Sequence, residues 1–193
     1  MPDTDPNLSP AVSARRILAA ARFAAEKHVA QKRKGKFGEP YVNHLLEVAE
    51  LIAGSSDSLD TNLIVAALLH DTVEDTATTS LELQEKFGED VASLVAEVTD
   101  DKSLPKATRK ALQIRNAPHK SARAATIKLA DKISNLRAIL ASPPADWSLE
   151  RQQEYFEWAR RVVEGLPAAN AILKAEFDRT YARFGELGAR GSK

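Results

Sequence analysis

The sequence predicts one all-α domain of about 8–10 helices. Apolar residues recur at three- and four-residue spacing along nearly all of the 193-residue chain. No stretch alternates apolar and polar side chains for long enough to make a strand, and there is no internal repeat or low-complexity tract. With 44% hydrophobic and 28% charged residues the composition is that of an ordinary globular protein, and the length suits one domain with a substantial core, or two small domains at most.

Taken in order, Ser9 and Pro10 start the first helix, a capping hydroxyl followed by proline at the first helical position. Its apolar side runs through Ile17, Leu18, Ala21, Ala24, Ala25, His28 and Val29. The polar, basic stretch QKRKGKFGEP at 31–40 separates it from a second helix, which Asn43 is placed to cap. That helix carries Leu45, Leu46, Val48, Ala49, Leu51 and Ile52 and ends at Gly54. Asp60 or Thr61 opens a third through the run LIVAALLH. Thr79 with Glu82 makes a capping-box pattern for a short helix ending near Phe87 and Gly88. The next spans 89–98, with Val91, Leu94, Val95 and Val98 on one face. Pro105 suits the first turn of a basic helix reaching Asn116. Residues 121–140 form a long central helix stopped by Ser142, Pro143 and Pro144, and 148–165 and 166–184 form a final pair joined near Gly165 and Pro167. Residues 1–10 and 186–193 are expected to be flexible tails around a domain at 11–185.

Composition removes several classes of function. The absence of cysteine excludes a disulfide framework, thiolate metal sites and a cysteine nucleophile, so any metal must be held by His, Asp or Glu. Lys and Arg number 27 against 27 Asp and Glu, and a net charge of zero argues against nucleic acid as the main partner. The most apolar uninterrupted run, at 61–70, is far short of the about 18–20 residues a spanning helix needs. Asp3, Asp5 and the early prolines are unlike a signal peptide. A cytoplasmic protein without a membrane partner is the expectation.

The stretch most able to do chemistry is 66–76, AALLHDTVEDT. His70, Asp71, Glu74 and Asp75 leave an apolar helix at spacings of one, three and four residues, so all can crowd one helix end. Carboxylates packed so closely repel unless a cation sits among them, and imidazole with carboxylate supplies the donors a divalent ion accepts. The alternative is a solvated helix terminus with a surface histidine. His44, at the start of the second helix, and Asp131, in the central helix beside Ile127, Ser134, Asn135 and Ala138, are two further donors. Taken singly, each also fits a structural role: Asp131 can pair with Lys128 or Lys132, or sit in water. Of the other two histidines, His28 reads as a packed core residue and His119, after Pro118, as a solvated loop residue.

These residues resemble the HD superfamily of metal-dependent phosphohydrolases, whose mark is a His-Asp pair after an apolar helix with a separate His upstream and an Asp downstream. More narrowly, QKRK at 31–34, EPYVNH at 39–44, HDTVEDT at 70–76 and LADKISNL at 129–136 are similar to the hydrolase domain of RelA/SpoT homologues. VTDDKSLPK at 98–106 and YFEWA at 155–159 are similar to its stand-alone branch, the small alarmone hydrolases. The likeness runs from about Ile17 to Phe184.

It implies an HD-domain helical bundle, the metal ligands His44, His70, Asp71 and Asp131, and one manganese ion. Donor chemistry alone also admits zinc or iron. It implies that Glu74 and Asp75 position and activate the attacking water and that Asn135 orients substrate. There are two departures: Leu45 stands where the family usually has proline, and Ser134 where it commonly has an aromatic or bulky residue. Neither removes a donor, but Ser134 alters the pocket wall.

Two basic clusters, Lys32, Arg33, Lys34 and Lys36, and Lys102, Lys106, Arg109, Lys110 and Arg115, suit a polyphosphate facing the metal. Arg33, Lys34, Tyr41, Lys102, Lys106, Asn135 and Tyr155 are the expected substrate contacts, Arg33 and Tyr41 by packing on the nucleoside. The implied reaction is hydrolysis of the 3′-diphosphate of guanosine tetra- or pentaphosphate to GDP or GTP plus diphosphate. With about nine residues beyond Phe184, the protein is expected to degrade this nucleotide and not to make it. Alternatives are a phosphatase acting on another nucleotide, such as the 2′-phosphate of NADPH, and a non-catalytic nucleotide-binding module. Self-association is left open.

Overall fold

A computed structural model describes residues 8–56, 58–168 and 170–185. Among them the regular structure is helical, apart from an isolated antiparallel bridge between Lys32 and Pro40. The helices are α1 (Pro10–Lys27), α2 (Val42–Ala53), α3 (Thr61–Leu69), α4 (Thr72–Asp75), α5 (Ser80–Phe87), α6 (Glu89–Val98), α7 (Lys106–Asn116), α8 (Ala122–Ala141), α9 (Leu149–Gly165) and α10 (Ala171–Ala182). None is long and apolar enough to cross a membrane.

Side-chain caps start most of these helices where the sequence places them. Ser9, Asp60, Thr79, Ser121 and Ser148 each accept from the backbone N–H three residues on, satisfying a donor that the first turn leaves unpaired. Gly88 joins α5 to α6 at φ 93°, a backbone conformation that suits glycine.

Four expectations are corrected. Asn43 does not cap α2: the helix already includes Val42, Tyr41 precedes it without a capping bond, and Asn43 lies exposed in the first turn. The last helix begins at Ala171, not at Leu166, because Pro167 has no N–H and holds Leu166 extended; Asn170 accepts from the Leu173 N–H at 2.9 Å and starts the helix. α1 ends at Lys27, with His28 as its cap, and Val29 falls beyond it, 84% exposed. The acidic segment does not prolong the third helix: α3 stops at Leu69, His70 and Asp71 form a turn, and α4 is a separate short helix. Pro10 lies in α1, while the expected tails at 1–7 and 186–193 are outside the described residues.

The centre of the molecule is α8, which packs against α2, α6, α9 and α10. Every residue from 124 to 134 is buried, so both of its sides are covered, the polar one as well as the apolar stripe. α3 is buried along its length save for Leu63, between α1, α2 and α6. Leu68, Leu69, Ile127, Ile133, Leu136, Phe156 and Phe177 fill the space between, each contributing about 1.5–3 kcal/mol by leaving water.

Candidate functional site

Three helices bring four donors to one point. The α3 sequence is apolar on all sides, so its C-terminal end lies inside the protein and His70, just past it, is buried. α2 supplies His44 from its first turn, and α8 supplies Asp131 from its buried midpoint. One ligand atom from each of His44, His70 and Asp131 lies within 4.8 Å of the other two. The His44 Nε2 is 3.3 Å from Asp131 Oδ1 and 3.6 Å from Asp71 Oδ2; the His70 Nε2 is 4.0 Å and 3.1 Å from the same two oxygens.

The far nitrogens decide what the near ones offer. His70 Nδ1 donates to the Ala67 carbonyl at 2.7 Å, and a carbonyl only accepts. His44 Nδ1 lies 2.8 Å from the Ser134 hydroxyl, which itself donates to Glu47 Oε2 at 2.6 Å. Both Nε2 atoms are buried without a hydrogen-bond partner. Two unsatisfied imidazole nitrogens facing two carboxylates form a site for a divalent metal. The electrostatics agree. Burial acts against a charged His70, but Asp71 and Asp131 outweigh it and raise its pKa to about 9. Burial likewise opposes the charged forms of Asp71 and Asp131, yet their neighbours, His70 and Lys132 first among them, hold both well below the usual carboxylate range. The site demands positive charge.

Other groups fix the carboxylates. Asp131 accepts from Asn135 Nδ2 at 2.6 Å and from the buried Lys132 ammonium at 2.9 Å. Tyr41 donates its hydroxyl to Asp71 Oδ2 at 2.6 Å, and burial with Asp71 raises its pKa far above the ordinary value, so it stays a donor. Its ring is stacked on His28 at 5.1 Å and meets His44 edge-on at 5.5 Å. Tyr41 therefore sits against His44 and Asp71, with the ring face toward His28 already covered.

Glu74 and Asp75 project from α4 beside this centre. Glu74 accepts from the Asp100 N–H at 3.1 Å and from Arg109 at 3.3 Å, and burial raises its pKa. Asp75 accepts from Gln31 at 2.7 Å and from Lys102. Gln31 is held in turn by His28 Nδ1 at 2.6 Å, so the histidine read as core filling also steadies an acid of the site.

Three of the basic residues reach the site: Arg33 contacts Asn135, Lys102 contacts Asp75 and Arg109 contacts Glu74. Arg33 donates to Asn135 Oδ1 at 3.2 Å, from a loop pinned by the Arg33 N–H to the Glu39 carbonyl at 2.8 Å. Lys106 has a lowered pKa, by burial first and then by the charges of Arg151, Lys34 and Arg109. Tyr155 packs between Trp147 and Trp158, and burial pushes it up to about 12, with Lys132, Asp131, Arg33 and Asp71 all acting on its hydroxyl. The roles of Gln31 and Glu47 are not legible in the sequence, because their partners lie far along the chain; of the two lysines that could pair with Asp131, Lys132 is the one that does, and Ser134 reads in the sequence only as a departure. His119 is exposed and takes no part.

Comparisons with known proteins bear on this geometry. Residues 20–161 match the HD domain family. The chain is 52% identical over 165 residues to the guanosine-3′,5′-bis(diphosphate) 3′-pyrophosphohydrolase MESH1 of Xenopus tropicalis, covering 86% of this chain and 92% of that protein. It is 48% identical over 172 residues to the protein of the same name from Homo sapiens, covering 89% and 96%. Among solved structures, one described as a metazoan ortholog of SpoT that hydrolyses ppGpp and plays a role in starvation responses matches with a TM-score of 0.84 at 44% identity, covering 88% of this chain and 96% of that one.

Proposed function

The chain belongs to the HD domain family and, within it, to the guanosine-3′,5′-bis(diphosphate) 3′-pyrophosphohydrolases, and from that premise we propose that it removes the 3′-diphosphate of guanosine tetra- or pentaphosphate. The products are GDP or GTP and diphosphate. The observation that carries this reading is the pair of buried, unpartnered Nε2 atoms of His44 and His70 facing Asp71 and Asp131, beside a second acidic pair held by cations.

His44, His70, Asp71 and Asp131 would hold one divalent ion, and we take it to be manganese. When bound, such an ion supplies Lewis acidity toward phosphoryl oxygens and water. The remaining work belongs to the protein. Glu74, whose pKa burial raises above its ordinary value, and Asp75 orient a water and accept its proton. The water oxygen bonds to the phosphorus carried on the 3′ oxygen; that oxygen leaves and takes up a proton. Lys34, Lys102, Lys106 and Arg109 neutralise the polyphosphate, while Arg33, Asn135 and Tyr155 hold the nucleoside side. We place this activity in the cytoplasm, on a small nucleotide, with neither nucleic acid nor membrane as partner.

The test is to incubate the purified protein with manganese and either guanosine tetraphosphate or NADPH, measuring diphosphate and phosphate release, with Asp71→Ala as control. Diphosphate from the guanosine nucleotide, lost in the variant, is the expected result. Turnover of neither nucleotide refutes the proposal, and phosphate from NADPH alone replaces it with a 2′-phosphatase.

A further inference from the structure

The two histidines of the metal site are oriented by different means. His70 Nδ1 is held by the carbonyl of Ala67, a main-chain group of the helix that precedes it, α3. His44 Nδ1 is held by a side chain from another helix, Ser134 of α8, which is fully buried. A hydroxyl has one hydrogen, and a carboxylate only accepts. The Ser134 hydrogen therefore goes to Glu47 Oε2 at 2.6 Å, and its oxygen must accept from His44 Nδ1 at 2.8 Å. That assignment puts the imidazole proton on Nδ1 and leaves Nε2 a bare lone pair.

The chain of contacts continues outward. Glu47, one turn after His44 on α2, accepts on its other oxygen from Arg137 at 3.1 Å. Arg137 donates in turn to Glu176 of α10 at 2.6 Å. The carboxylate behind the serine is thus held on both oxygens, by the serine hydroxyl on one and a guanidinium on the other. Although His, Ser and Glu are the residue types of a hydrolytic triad, the order is different. Serine lies between imidazole and carboxylate, its proton faces the carboxylate, and it is sealed from solvent, so it is not a nucleophile.

We propose that Ser134 and Glu47 are positioning residues for His44, and that their relay sets how tightly the site holds its divalent ion. This rests on the metal reading given above. A hydrogen-bond acceptor behind a ligating imidazole fixes its tautomer and ring orientation and raises its basicity, and losing such a partner typically costs about 10–100-fold in metal affinity.

The test measures manganese dissociation constants from the electron paramagnetic resonance signal of free manganese, using the full, metal-stripped chain. Ser134→Ala is expected to weaken binding by about 10–100-fold, Ser134→Thr to restore it to within a few fold, and Glu47→Gln, which keeps an acceptor but loses the charge, to weaken it by less. Ser134→Ala binding within twofold of the parent overturns the proposal. Ser134→Thr binding as weakly as Ser134→Ala also overturns it, since the effect would then be one of packing. Circular dichroism reports whether each variant folds. Should Ser134→Ala fail to fold, Glu47→Gln decides, since the Glu47 side chain is 31% exposed and an unchanged constant overturns the relay. His70→Ala separates this inference from its premise. If that variant binds as tightly as the parent, the metal site itself is misassigned; if it loses the ion while Ser134→Ala keeps it, only the relay fails.

Discussion

Lys132→Met tests whether the site is built around missing positive charge. The Lys132 ammonium lies 2.9 Å from Asp131 Oδ2, with side chains 3% and 11% exposed, and it sits 4.5 Å from the centre of the Trp158 ring. At an effective dielectric constant of about 20, a pair at this separation interacts by about 6 kcal/mol, most of which offsets desolvation. Removing one partner of such a pair leaves a buried charge uncompensated and costs about 3–5 kcal/mol. The lost ring contact adds about 1 kcal/mol. Methionine fills the same volume, so the loss is electrostatic. A divalent ion bound at Asp131 replaces the missing cation. At a hundredfold excess over its dissociation constant an ion stabilises the parent by about 2.7 kcal/mol, and each tenfold gain in affinity in the variant adds about 1.4 kcal/mol. Urea denaturation followed by far-ultraviolet circular dichroism, in EDTA and in manganese, should show a loss of about 4–6 kcal/mol without metal and a smaller one with it. Equal losses under both conditions, or a loss below about 1 kcal/mol in EDTA, would refute the reasoning.

Other expectations concern the acids, the loop and the scaffold. Glu74→Gln should lower kcat by about 10²–10⁴-fold in a diphosphate-release assay while leaving the manganese dissociation constant within a few fold. Because burial raises the Glu74 pKa, the parent's rate should climb with pH above the ordinary carboxylate range, a limb the variant lacks. Gly35→Ala puts a methyl carbon 2.6 Å from the Ser142 carbonyl oxygen and must displace the loop bearing Arg33 and Lys34; KM is expected to rise by on the order of tenfold with the thermal midpoint little changed. Asp90, held by hydrogen bonds from Arg123 first and then Asn62, has a lowered pKa, so its contribution is present above the unfolded value near 3.8 and is lost as pH falls through the folded one. Asp90→Asn should cost about 1 kcal/mol in urea denaturation at pH 7, and the difference should close as the parent's Asp90 protonates.

The sequence by itself determined the helices and singled out the candidate donors. Caps at Ser9 and Thr79, and helix starts at or next to Asp60, Ser121 and Ser148, were legible because a cap acts on an N–H three residues away, and helical faces were legible because their period is short. His70 and Asp71 stood out because an apolar helix delivered them to the interior. Where a stronger local rule competed, the reading failed: Pro167 delayed α10 to Ala171, and the turn at His70 and Asp71 split what looked like one helix end.

Only the tertiary structure decided which nitrogen of each histidine is free and which neighbours hold the acids. The pairs that settle this lie 44 residues apart for Gln31 and Asp75, 90 for His44 and Ser134, and 102 for Arg33 and Asn135. No periodicity links residues at such separations. Nor could the pattern show that α8 is covered on both sides, which turns Asp131 from an acid free to sit in water into a buried carboxylate paired with Lys132. The physical reason is that helix formation depends on neighbours along the chain, whereas the charge and protonation of a buried group depend on whatever packing places within a few ångströms of it.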